Sequence, residues 1–290
     1  MPNIIVDQDT CTRCGACVAV CASARVYQLR ETAARPVRPE DCWSCGHCVA
    51  VCPVDAIRHP DYPLERCPAL ESLPSYQELV AALRDRRSLR AFRPKPVPRE
   101  TVRQLVDVSR WAPSASNRQP VDWIAIDNPE HIARLSAEVA TTMASLARLL
   151  RSRLLRPFLQ LFMGRSNVAH AVEAADKLAG LADDRAGGAD PIFYHAPVVL
   201  VAHVPEKAFF GRDDAVYAAY NLMLAAERLG LGTCHIGYVN AALTRNSRLR
   251  RTLGLPEGRQ LEVVLILGYP RFPFHRALPR RRMDVHWNPD

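Results

Sequence analysis

One cysteine motif written twice constrains this chain more than any other feature. Cys11-x-x-Cys14-x-x-Cys17-x-x-x-Cys21 is followed by Cys42-x-x-Cys45-x-x-Cys48-x-x-x-Cys52-Pro53. The filler recurs as well: Gly15-Ala16-Cys17-Val18-Ala19-Val20 stands against Gly46-His47-Cys48-Val49-Ala50-Val51. Nine of the ten cysteines precede residue 68, and only Cys234 follows. A length of 290 residues predicts two domains. Cysteine usage and the prolines Pro68 and Pro74 place the division, giving a first domain over 1–66, a linker over 67–75 and a second domain over 76–290.

Three thiolates spaced by two residues can wrap three corners of an iron–sulfur cubane within one loop, and the glycine permits the tight backbone approach. The fourth cysteine is expected to begin the next helix and point to the other cluster. Cys11, Cys14 and Cys17 therefore pair with Cys52, and Cys42, Cys45 and Cys48 with Cys21. Two four-cysteine zinc sites are the competing reading, but zinc ribbons present separated Cys-x-x-Cys pairs without a third cysteine three residues on. Cys67 reads as an ordinary thiol, and His47 and His59 as loop residues, because eight cysteines already complete both sites. Residues 3–60 resemble the bacterial two-cluster ferredoxins, which implies a ferredoxin-like domain with two [4Fe–4S] clusters. One departure from that family is Ala22, which follows Cys21 where proline is common.

The second domain opens cleanly. Ser75 and Glu78 form a capping box ahead of Leu79, Val80 and Leu83 at helical spacing. A helix is predicted from Arg99 to Trp111, ending before Pro113. Val121–Asp127, Val198–Val204 and Leu261–Tyr269 are short apolar runs of strand type. Asp214–Leu229 is apolar almost all round, which predicts a central buried helix ending at Gly230. Long helices around a few strands give an α+β domain.

Four segments of this domain carry its chemistry. Arg86-Arg87-Ser88-Leu89-Arg90 suits a phosphate, because guanidinium forks make bidentate, charge-assisted bonds. Ser114-Ala115-Ser116-Asn117-Arg118-Gln119 is a polar loop whose amides suit the edge of a planar heterocycle. Gly230–Tyr238 contains glycines that let backbone N–H groups approach a ring. Gly268-Tyr269-Pro270 leads into a basic tail through Arg280, Arg281 and Arg282. In this order the segments resemble the nitroreductase family of FMN enzymes, and Asp190-Pro191-Ile192-Phe193 is similar to a strand start in ferredoxin-fused members. The resemblance implies FMN at a homodimer interface. It places phosphate and ribityl on Arg86, Arg87, Ser88 and Arg90, the ring beside Asn117, Gln119, Gly237 and Tyr238, and the phosphate again on Arg280 and Arg281. Cys234 reads as a small buried residue, since no paired base accompanies it. Residues 139–189 match the family least, and the leucine- and arginine-rich stretch Met143–Met163 is expected to form a lid or dimer arm.

Composition excludes several other classes. The net charge of +8 suggests an anionic partner, but two clusters at roughly −2 each and a flavin phosphate at about −2 would bring the loaded protein near about +2. No nucleic-acid partner is required. Arg148, Arg151, Arg153 and Arg156 interrupt the most apolar stretch, so no transmembrane segment is expected. Met1–Asp9 has no basic start and no apolar run of the signal-peptide kind, so a cytoplasmic setting is expected. Without a G-x-G-x-x-G fingerprint, NAD(P)H would have to bind directly over the flavin. The expected function is an FMN-dependent oxidoreductase fed by NAD(P)H or an external low-potential donor. It would reduce a small-molecule acceptor such as a nitro compound or quinone, without an acid–base triad. The rival is an electron carrier with no substrate of its own.

Overall fold

A computed structural model of the chain describes residues 2–70, 72–152, 175, 180–181, 183–185, 187–243 and 246–288. Backbone contacts divide it into two compact units. The first is Met1–Pro74 with Ser114–Gln119, and the second is Ser75–Pro113 with Pro120–Asp290. No helix among the described residues is long and apolar enough to cross a membrane.

In the first unit, strand β1 (Ile5–Val6) pairs antiparallel with β4 (Ile57–Arg58), and β2 (Tyr27–Leu29) pairs antiparallel with β3 (Ala34–Pro36). Between them lie two five-residue helices, α1 (Ala16–Val20) and α2 (His47–Val51). Each follows a glycine in the left-handed region, Gly15 at φ 76° and Gly46 at φ 74°, where a side chain would be strained. Helices this short are unstable alone. Packing on a core of Ile4, Cys17, Val26, Tyr27, Ala34, Cys48, Val49 and Ile57 holds them. Cys21 and Cys52 cap the C-termini of α1 and α2, so the fourth cysteine of each motif ends a helix instead of beginning one. The left-handed glycine starts the helix a residue before the third cysteine, which leaves the fourth at its far end. Pro53 forces Cys52 into extended backbone, at ψ 114°, whereas Cys21 lacks that proline and the chain continues in a turn closed by Arg25 N–H on the Cys21 carbonyl.

The second unit is built on a four-stranded antiparallel sheet in the order β5 (Asp122–Ile126), β6 (Val198–Pro205), β8 (Arg259–Gly268), β7 (Gly232–His235). Alternate residues of the inner strands serve two separate cores. Val199, Val201, Val264 and Ile266 pack with α5 (Pro129–Arg151) through Leu135, Val139 and Met143. Val198, Leu200, Ala202, Val263, Leu265 and Leu267 pack with α4 (Arg99–Ser109) and α6 (Gly211–Arg228) through Leu105, Leu222 and Ala226. Both sheet faces are therefore covered, which is why these strands read as continuous apolar runs. Each fully buried leucine or valine here contributes roughly 1.5–3 kcal/mol. This is the α+β architecture that the pattern implied.

Helix α3 (Tyr76–Asp85) begins with the expected capping box: Ser75 Oγ accepts from Glu78 N–H, and the Glu78 carboxylate accepts from Ser75 N–H at 2.7 Å. Two expectations need correction. Helix α6 is not buried all round, because Val216, Tyr217 and Tyr220 are exposed on one side. The chain from Met143 onward is not a separate arm as far as Arg151; it is the end of α5, with Met143, Ala147 and Leu150 in the core. Residues 153–163 of that stretch lie outside the described residues.

Candidate functional site

The structure gathers the motif cysteines in two groups. Cys11, Cys14, Cys17 and Cys52 line one cavity together with Gly15, Ala34 and Ile57. Cys42, Cys45 and Cys48 lie within electrostatic reach of one another, and Cys21 acts on Cys42. Burial, reinforced by the neighbouring thiols, pushes Cys17, Cys42 and Cys48 up from the usual thiol range. Among the described residues no three His, Cys, Asp or Glu side chains are arranged for a single metal ion. A cubane reaches each thiolate through its own iron and so suits a wider spacing. Tyr27 supplies a second test of fit. Its hydroxyl is buried and has no hydrogen-bond partner among the described residues. Burial and then the Cys48 thiol push its pKa up, although the contact falls short of hydrogen-bond geometry. An orphaned donor facing these sulfurs is what a sulfide-rich cluster would satisfy.

In the second unit the arginine segment lies along the end of the sheet. Leu89 N–H donates to the Thr233 carbonyl at 2.9 Å, Arg93 N–H to Tyr269 at 2.9 Å, and Arg271 N–H to Ala91 at 2.9 Å. Two glycines paired across β7 and β8, Gly232 and Gly268, permit this approach. A Cβ on Gly232 would meet Leu89 at 2.6 Å, and one on Gly268 would meet Pro197 at 2.6 Å and Phe92 at 2.7 Å. Arg86 caps α3, Arg87 N–H donates to Glu227 Oε1 at 3.3 Å, and Ser88 and Arg90 are exposed. Arg90 also lies 5.9 Å from the centre of the Tyr194 ring. The Arg87 guanidinium donates to carbonyls of Arg84, Arg86 and Arg276, while its Nε is buried without a partner among the described residues. This is a half-exposed cationic strip, with one unsatisfied donor, on a rigid sheet edge.

The family model for the nitroreductase family matches residues 83–269, and that for the 4Fe-4S dicluster domain matches residues 3–53. The chain belongs to the nitroreductase family. Among curated relatives, a 4-nitrobenzoate reductase of Pseudomonas putida is 30% identical over 205 residues, 65% of this chain and 84% of that protein. A putative NADH dehydrogenase/NAD(P)H nitroreductase of Archaeoglobus fulgidus is 24% identical over 216 residues, covering 74% and 95%. The solved FMN-bound nitroreductase of Bacteroides fragilis superposes with a TM-score of 0.54 at 20% identity, covering 72% of this chain and 98% of that one, which shows the shared fold.

The nitroreductase unit positions the remaining expected residues unevenly. Gly237 and Tyr238 start helix α7 (Gly237–Leu243), which one residue, Ile236, separates from β7. Arg280 and Arg281 are exposed in a tail without regular structure, and it is Arg276, earlier in that tail, whose carbonyl meets Arg87. Asp190 serves as a scaffold, its carboxylate accepting from the Ser136 hydroxyl at 2.5 Å and from the amides of Phe193 at 3.0 Å and His195 at 3.1 Å. A cavity of about 720 Å³, lined by Arg93, Lys95, Asp127, Arg185, Asp190 and His195 among others, contains none of the expected flavin residues. Cys234 is buried, 1% exposed, as expected of a packing residue.

Loop Ser114–Gln119 groups with the first unit. Ser116, Asn117 and Gln119 all have left-handed φ of 46–52°, a strain that bonded surroundings must hold. The Asn117 amide donates to the Ser44 carbonyl at 2.7 Å and to the Tyr62 hydroxyl at 2.8 Å, and its Oδ1 accepts from Gln119 Nε2 at 3.2 Å. Sequence reasoning missed Tyr62, Tyr27 and His59 as members of the site. His59, read from the sequence as a loop residue, is 4% exposed and faces Cys42 Sγ. Burial holds its imidazole below the usual histidine pKa, against the opposing pull of Asp61. The only sequence signal was their place: His59 and Tyr62 shortly after the second motif, and Tyr27 between the two.

Proposed function

We propose that this chain is an iron–sulfur flavoprotein that receives single electrons on two [4Fe–4S] clusters, combines them on FMN and reduces an organic acceptor such as a nitro compound or a quinone. One observation carries the reading: a nitroreductase sheet shares its chain with a unit whose eight motif cysteines fall into two groups of four. Bound FMN would supply the ability to take electrons singly or in pairs, and so to join one-electron donors to a two-electron acceptor.

In this reading Cys11, Cys14, Cys17 and Cys52 hold one cluster and Cys21, Cys42, Cys45 and Cys48 the other. Arg86, Arg87, Ser88 and Arg90 take phosphate and ribityl, with the orphaned Arg87 Nε as a donor awaiting an anion. Gly237 and Tyr238 offer first-turn amides of α7, which have no partners within the helix. Gln119 presents an exposed side chain to the ring, and Asn117, whose amide is committed to Ser44 and Tyr62, contributes backbone. Arg280 and Arg281 reach the phosphate from the tail. A homodimer is supported by apolar side chains left uncovered on α3 (Leu79, Leu83), on α6 (Val216, Tyr217) and in the tail (Phe272, Trp287). The donor is NAD(P)H or a low-potential carrier, and the reducing cytoplasm suits so many thiols.

The test is steady-state reduction of a nitroaromatic such as 4-nitrobenzoate by anaerobically purified holoprotein, with NAD(P)H or a reduced carrier as donor. Turnover well above that of free FMN supports the enzyme. Turnover no faster than free FMN across nitro and quinone acceptors refutes it in favour of a carrier without its own substrate.

A further inference from the structure

The two cysteine motifs are near-copies in sequence, yet their surroundings differ. Beside the second motif, the His59 ring is fixed at both nitrogens. Asp61 N–H donates to Nδ1 at 3.2 Å, and Nε2 lies 3.6 Å from Cys42 Sγ, within hydrogen-bond reach of sulfur. With Nδ1 accepting, the proton of neutral imidazole sits on Nε2, and the charged ring carries one there too. In either state the ring donates N–H to the sulfur. Ser44 N–H donates to the same atom at 3.4 Å. Tyr62, its ring 5.3 Å from that of His59, ties down the Ser44 carbonyl at 2.5 Å and packs against Gly46, so the loop is braced. The first motif's group has an Ala56 N–H on Cys52 Sγ at 3.2 Å, but among the described residues no side chain donates a hydrogen bond to Cys11, Cys14, Cys17 or Cys52.

A hydrogen bond to a ligating sulfur stabilises the extra negative charge of the reduced cluster and raises its potential. We propose that His59 is the residue that sets the two clusters apart: through Nε2–H on Cys42 Sγ it holds the cluster of Cys21, Cys42, Cys45 and Cys48 at a higher potential than its sequence twin. An electron given up by the first cluster, which is thereby oxidised, then reduces the second, and charge collects there. His59 acts through the ligand and is not itself one. The inference rests on the two-cluster reading above.

Holoprotein carrying His47→Gln and ¹⁵N-labelled histidine isolates the bond, since His47 is exposed and is the other histidine beside these cysteines. Pulsed EPR of the reduced protein should find a ¹⁵N coupling on one cluster signal and not the other. In EPR-monitored redox titrations, His59→Phe should shift that same cluster's midpoint negative and leave the other in place, and His59→Gln, which keeps an N–H donor, should recover part of the shift. About eight irons per chain with no ¹⁵N coupling, or midpoints that stay or move together, would overturn the proposal. The labelled protein gives this answer even where His59→Phe does not fold. Iron short of two cubanes would instead refute the two-cluster reading beneath it.

Discussion

Replacing Gly268 with alanine tests the way the arginine segment is laid on the sheet. The added Cβ would sit 2.6 Å from Pro197 Cδ, 2.7 Å from Phe92 Cδ1 and 2.9 Å from Pro197 Cγ. Ordinary carbon contacts lie at about 3.5–4 Å, so roughly 1 Å must be yielded by two ring systems at once. Neither yields easily. Pro197 directly precedes β6, and Phe92 bridges Pro270 while its neighbours Ala91 and Arg93 are hydrogen-bonded to Arg271 and Tyr269. Overpacking costs about 1–3 kcal/mol, and the rigidity of both neighbours puts this change near the top, at about 3 kcal/mol. For a unit of about 200 residues that lowers Tm by roughly 6–12 °C. Thermal unfolding followed by circular dichroism reads it, with Gly187→Ala as the control. There the new Cβ would meet nothing closer than 3.4 Å, and the change should stay within about 0.5 kcal/mol. Because relief of the clash pushes Phe92 and its segment outward, FMN affinity should fall as well. A Gly268→Ala protein as stable as its parent would refute the packing argument.

Two further changes probe charge. Burial, with Arg259 beside it, holds the His203 imidazole below the usual histidine pKa, while its Nδ1 accepts from Arg259 Nε at 2.9 Å. Its folded pKa is below the unfolded value of 6.5, so its stability contribution is complete above that pH and is lost as pH falls through the folded value. Urea unfolding at about pH 7.5 and about pH 5.5 should show that loss, and His203→Asn, which keeps an acceptor for Arg259, should shrink it. Arg90→Ala should weaken FMN binding about 10- to 100-fold in a fluorescence titration, the equivalent of one charge-assisted bond. Arg99→Ala, which breaks an exposed pair with Asp127 at 2.6 Å, should leave FMN affinity unchanged and cost less than about 1 kcal/mol.

Much of the architecture was legible because it rests on local chemistry. The left-handed glycines before Cys17 and Cys48, the Ser75–Glu78 box and the apolar strand runs each follow from residue type and spacing. What escaped was long-range pairing. Nothing in the sequence says that Gly232 faces Gly268, or that a loop carrying Asn117 closes onto Ser44, 73 residues away. Helix α6 misled for a related reason. A helix apolar almost all round predicts burial but not by what, and Val216, Tyr217 and Tyr220 face outward from this single chain. His59 was read as a loop residue because eight cysteines already complete both sites, and its burial beside Cys42 separates it from His47.

Whether the clusters feed the flavin of their own chain can be read by anaerobic stopped-flow absorbance after oxidised holoprotein is mixed with less than one equivalent of dithionite. Cluster absorbance should bleach first and recover as flavin absorbance falls, at a rate that does not change with protein concentration. Clusters that stay reduced beside oxidised flavin, or a transfer rate that climbs in proportion to protein concentration, would contradict transfer within the chain.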